Sequence, residues 1–164
     1  MKVIDTKSIQ KLNRDINKIS RELLKVHGEL KGTVNKALFL EFNAVRNYII
    51  TSMRNTKRSE KSYKRKSVEH HPSLPGNPPA IDTGDLVKSI LYDVKNMEAR
   101  LGLVGGAPHG VFLEKKTNRF FSGLLKIDSA GIRPWLKPAI EANKEKIIKK
   151  IQAAIKKQLS EIKP

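Results

Sequence analysis

No cysteine occurs among the 164 residues of this chain, which excludes disulfides, thiolate zinc sites and cysteine nucleophiles and leaves it indifferent to the redox state of its compartment. Aromatic residues make up only 5% of it, so the core is expected to be mostly aliphatic. Acids are scarce, 16 Asp and Glu against 33 Lys and Arg, and scattered among lysines, which argues against a paired-carboxylate hydrolase. No apolar run approaches the length that spans a bilayer, and Met1-Lys2-Val3-Ile4-Asp5-Thr6 lacks the apolar stretch of a secretory signal. Both absences fit synthesis and assembly in a cytoplasm, away from a membrane.

What the chain has in excess is positive charge. A formal +17 attracts polyanions and opposes compaction, so an acidic partner is expected, either nucleic acid or the acidic face of a neighbouring protein. The length suits one domain over residues 1–164, with an extended arm at about 54–82.

Apolar residues recur at Ile9, Leu12, Ile16, Ile19, Leu23, Val26 and Leu30, a near-heptad stripe. It continues after a phase slip through Val34, Leu38, Phe42, Val45, Ile49 and Met53. Two helices or one bent helix are expected over about 6–56, with Thr6 or Ser8 as cap. The stripe can serve ordinary packing within the domain or a coiled contact between subunits.

Arg54, Lys57, Arg58, Lys61, Lys64, Arg65 and Lys66 then form a basic run with one acid among them. Four prolines between Pro72 and Pro79 follow; they fix φ, remove donors and favour an extended strap over helix or central strand. A long loop or arm of this kind is unusual in a compact domain unless it has a job, such as ordering on a partner. Asp82 and Thr83 offer side-chain oxygens to a new helical turn and Asp85 adds a carboxylate at its positive end, predicting a short helix from Leu86 to about Ser89.

Alternation through Ile90–Lys95 and Ala99–Leu103 reads as an antiparallel hairpin. A short helix at 111–114, a strand at 119–127 and a turn at 128–131 are expected next. Pro134 suits a first helical turn. Leu136, Ile140, Ile147, Ile151, Ala154, Ile155, Leu159 and Ile162 mark one face of a long final helix whose other face carries Lys144, Lys146, Lys149, Lys150, Lys156 and Lys157. That basic face is a solvated surface, a phosphate-binding surface or, on the same pattern, a membrane-surface helix.

Catalytic signatures are weak. His70, His71 and His109 match no metal-ligand spacing with Asp82, Asp85 or Glu114. Asp82-Thr83-Gly84 shares three letters with aspartic proteases but is explained as a helix cap. Gly102-x-x-Gly105-Gly106 lacks the lysine and following helix of a phosphate loop. No catalytic residue, cofactor or metal is therefore assigned.

The order Pro75-Gly76-x-Pro78-Pro79-Ala80-x-Asp82-Thr83-Gly84-x-Leu86-x-x-Ser89-Ile90, followed by Arg133-Pro134-Trp135-Leu136-x-Pro138, resembles the neck and tail-completion family of long-tailed bacteriophages, typified by the tenth gene product of coliphage Hong Kong 97. Between these blocks, Ala107 to Thr117 is similar to a third family element ending Leu-Glu-aromatic-Gly-Thr, with Leu113 and Glu114 in place and Lys115 and Lys116 departing from it. The resemblance covers roughly residues 70–148. It implies a structural virion subunit that assembles as a ring, six-fold or twelve-fold, at the head–tail junction. The partners so implied are itself, head-completion or connector proteins, tail-terminator or tail-tube proteins, and packaged DNA. The alternative is a sequence-independent nucleic-acid-binding protein using the basic run and the final helix. The expected fold is α+β, with long N- and C-terminal helices packed on a small antiparallel sheet. Leu86 is expected to face inward, and Trp135 to be core or a contact.

Overall fold

In a computed structural model that describes residues 6–65, 67–105, 109–114 and 132–162, the first element is one helix, α1, Thr6–Arg54. Its 49 residues span roughly 70 Å at the α-helical rise. The phase slip in the sequence divides the helix by environment. Val45, Ile49 and Met53 are each at most 2% exposed, whereas Leu12, Ile16, Ile19 and Leu23 are 52–65% exposed. Packing of the early stripe within the domain, one of its two expected uses, is therefore not what the fold does. Periodicity shows that a helix has an apolar face but not what covers it.

After α1 the chain turns back in a short antiparallel ribbon, β1 (Tyr63–Arg65) and β2 (Val68–His70), with Ser67 at positive φ in its turn. The proline strap then returns along residues 56–59, which follow α1. Leu74 donates its N–H to the Lys57 carbonyl (3.0 Å), Ser59 to that of Pro72 (2.7 Å), and the Thr56 hydroxyl to that of Pro78 (2.8 Å). Within 54–82 the chain is thus held to itself by backbone bonds and by the Thr56 hydroxyl.

A short helix, α2 (Asp85–Ser89), runs into a second ribbon, β3 (Ile90–Lys95) and β4 (Glu98–Leu103), paired from Ile90 with Leu103 to Lys95 with Glu98. Asn96 and Met97 both take positive φ, as a two-residue hairpin turn with the strands' own twist requires. The Met97 N–H donates to Asn35 Oδ1 on α1 (2.8 Å). Phe39 meets Tyr92 edge-on at 5.3 Å, and Arg46 Nε donates to the Ile90 carbonyl (2.7 Å). The alternation seen in the sequence is the burial pattern observed, with Ile90, Tyr92 and Val94 facing inward.

Two more helices complete the described chain: α3 (His109–Glu114) and α4 (Leu136–Glu161). The start of α4 packs beside Val45, Ile49 and Met53 through Trp135 and Ala139. Near its end the Thr33 hydroxyl donates to Gln158 Oε1 (2.8 Å), so α4 runs antiparallel to α1. The architecture is α+β, with two long helices and two small antiparallel ribbons. In place of one sheet under both helices, the β3–β4 ribbon lies on α1, and α4 packs chiefly on α1. Among the described residues no helix is long and apolar enough to cross a membrane. The strand expected at 119–127 and the turn at 128–131 fall outside the described residues.

Candidate functional site

Helix α4 starts two residues later than the proline pattern suggests. Trp135 is its N-cap, and Pro134 precedes the helix. A helix start leaves backbone N–H groups without internal partners. Here one side chain takes them: Glu114, the last residue of α3, accepts from the N–H of Trp135 (2.7 Å) and Leu136 (2.9 Å) through Oε2, and from Lys137 (2.8 Å) through Oε1. The next residue, Pro138, has no N–H to satisfy. The negative charge also lies at the positive end of the helix dipole.

Trp135 turns inward, 4% exposed, and its Nε1–H donates to the Gly110 carbonyl (2.9 Å). Gly110 lies against Leu86 and Leu103: a Cβ there would come within 2.5 and 2.6 Å of their side-chain methyls. Leu86 packs on the core, as expected.

One residue before Pro134, the Arg133 side chain is 9% exposed. Its Nε donates to the Ser73 hydroxyl (2.9 Å) and carbonyl (3.1 Å), and its Nη2 to the same carbonyl (2.9 Å). Burial lowers the guanidinium pKa from its ordinary value, and the nearby Tyr63 hydroxyl opposes that shift. Backbone bonds run alongside: Arg133 N–H to the Leu113 carbonyl (2.9 Å), and Gly76 N–H to the Ile132 carbonyl (2.7 Å). Gly76 has φ 82°, a conformation a β-carbon disfavours.

These bonds join the three sequence blocks that carry the resemblance. The strap contributes Ser73 and Gly76, the middle block Gly110, Leu113 and Glu114, and the last Arg133, Trp135 and Leu136; Pro78 instead accepts from Thr56, and Pro79 is buried. Pro75 is exposed, and Ser89, 5% exposed, donates to the Leu86 carbonyl (2.8 Å). Ser73 was not singled out from the sequence, although a small polar residue between prolines, with its carbonyl free of any ladder, is a natural acceptor for a buried arginine.

The expected cap on α2 is corrected. Gly84 is the N-cap at φ 82° with no side-chain cap bond, and α2 begins at Asp85. The Thr83 hydroxyl bonds to the Asp85 carboxylate (2.5 Å) and accepts weakly from its N–H (3.4 Å). Asp82 turns the other way, pairing with His70 Nδ1 and accepting from the Tyr63 hydroxyl (3.0 Å). Tyr63 and His70 stack at 5.5 Å. This cluster latches the β1–β2 ribbon to the start of α2.

Of the basic run, Arg54, Lys57, Arg58, Lys61 and Lys64 are exposed. Lys66 and the Arg65 side chain fall outside the described residues. Lys144, Lys146, Lys149, Lys150, Lys156 and Lys157 are exposed on α4. A groove of about 350 Å³ between α1 and α4 is bordered by Thr33, Lys36, Leu40, Glu41, Lys150 and Ala154. Among the described residues no cluster of His, Asp and Glu is placed to hold a metal ion, and every buried side-chain nitrogen and oxygen has a hydrogen-bond partner. No family model matches the chain, and neither a curated protein nor a solved structure matches it.

Proposed function

We propose that this chain is a structural subunit of a tailed-bacteriophage virion, a ring-forming neck or tail-completion protein at the head–tail junction, assembled in the host cytoplasm and without a catalytic step. The observation that carries the reading is the convergence of the three resemblance blocks. Glu114, Arg133, Trp135 and Gly76 are spent on backbone and core bonds, which suits residues that hold a shape. Closed rings arise when one heterologous interface repeats by rotation, and a body braced across 60 residues of sequence keeps such an interface in fixed geometry. Copies of itself, a head-completion or connector ring and a tail-terminator or tail-tube ring are the partners, with the arm's exposed cations against acidic faces or packaged DNA.

The second reading, a sequence-independent nucleic-acid-binding protein, is favoured by the exposed lysines of α4 and the arm. Phosphate binding by such a surface weakens steeply with salt. Light scattering on the purified chain, at low and high salt and with and without duplex DNA, separates the two. A ring-sized species without duplex is expected; a single chain that binds duplex and releases it with salt overturns the neck reading.

A further inference from the structure

We infer that residues 9–30 of α1 form a parallel, self-associating coiled coil of three or more copies of this chain. With Ile9 at heptad position a, Leu12, Ile16, Ile19, Leu23, Val26 and Leu30 fall alternately at d and a without a break, and the four that precede Val26 are each more than half exposed. A strict 3.5-residue seam matches another helix of the same period; a globular core asks for a wider stripe.

Charge selects the occupant. Residues 9–30 carry five basic and three acidic side chains, so most of the chain's excess lies elsewhere, and copies repel little here. The same near balance disfavours nucleic acid or an anionic membrane. The acids Asp15, Glu22 and Glu29 all fall at position g. Antiparallel pairing sets that acidic column against itself, whereas parallel pairing in register sets it against position e, where a second copy presents Ser20 and His27. On the outer side each acid has a lysine four residues before it, as in Lys25 with Glu29 at 4.0 Å. Ile19 and Val26 at d are β-branched, which disfavours two strands and favours three or four. The inference stands on the exposed seam and its charges and does not need the neck reading.

Two measurements on the full-length chain test it. Sedimentation mass is compared between the wild type and Ile16→Glu/Leu23→Glu, whose sites lie outside the core, with circular dichroism to verify the fold. At least a threefold fall, to a single chain, is expected. The absence of native cysteine allows Ile19→Cys to be oxidised against Arg21→Cys on the outer face; disulfide-linked pairs are expected only from the first. A monomeric wild type, an unchanged mass in the double variant, equal cross-linking at both sites, or stripe-dependent binding to anionic phospholipid vesicles without self-association overturns the proposal. A ring that persists with the seam disrupted overturns the coil alone and leaves the neck reading standing.

Discussion

The carboxylate of Glu114 stands over the first turn of α4, with one oxygen 2.7 Å from the backbone nitrogen of Trp135. It replaces the usual capping residue at the helix start with one from a separate element. Removing a cap costs about 0.5–2 kcal/mol; because three N–H groups share this acceptor, Glu114→Ala is expected at the upper end, about 2 kcal/mol, with Glu114→Gln between it and wild type. Chemical denaturation measures both.

Arg133 reaches Ser73 across 60 residues. Truncation to alanine leaves the Ser73 carbonyl and hydroxyl without this donor, at about 2–3 kcal/mol. Arg133→Lys is expected to recover little, since an ammonium does not reproduce the planar fork of donors. Equal stability of the lysine variant and wild type contradicts the account.

Gly110 is crowded by Leu86 and Leu103. Gly110→Ala forces their methyls to shift, and overpacking of this kind costs about 1 kcal/mol or more. Leu86→Ala in the same chain removes one of the two close contacts, so the double variant is expected to be more stable than the two single changes sum to, a coupling that a double-mutant cycle reads.

The Asp82 latch predicts a local effect. Asp82→Ala frees the β1–β2 ribbon from α2 while the core cluster is untouched, so tryptic cleavage at Lys61 and Lys64 is expected to accelerate with little change in melting temperature. Cleavage at the wild-type rate contradicts the latch.

Arg58, Lys61 and Lys64 are exposed, so Arg58→Glu/Lys61→Glu/Lys64→Glu is expected to fold normally and to block joining of heads to tails. Joining at the wild-type level rules out that role.

Local patterns in the sequence identify the β3–β4 hairpin and the long helices, because alternation and 3.6-residue spacing reflect burial directly. They do not identify the brace. Glu114 caps a helix that starts 21 residues away, and Arg133 finds its acceptor in a proline strap; neither partner is a neighbour in sequence. Asp82 reads as a cap because its type and place suit one, but Tyr63 and His70 take its oxygens and Gly84 makes the turn by positive φ. The stripe from Leu12 to Leu23 reads correctly as one helical face, yet no periodicity states that the fold leaves it bare.

The central claim is tested most directly by immunogold electron microscopy of phage particles assembled with this chain. Label confined to the head–tail junction is the predicted result. Particles that carry no label, while the chain is recovered bound to nucleic acid, contradict it.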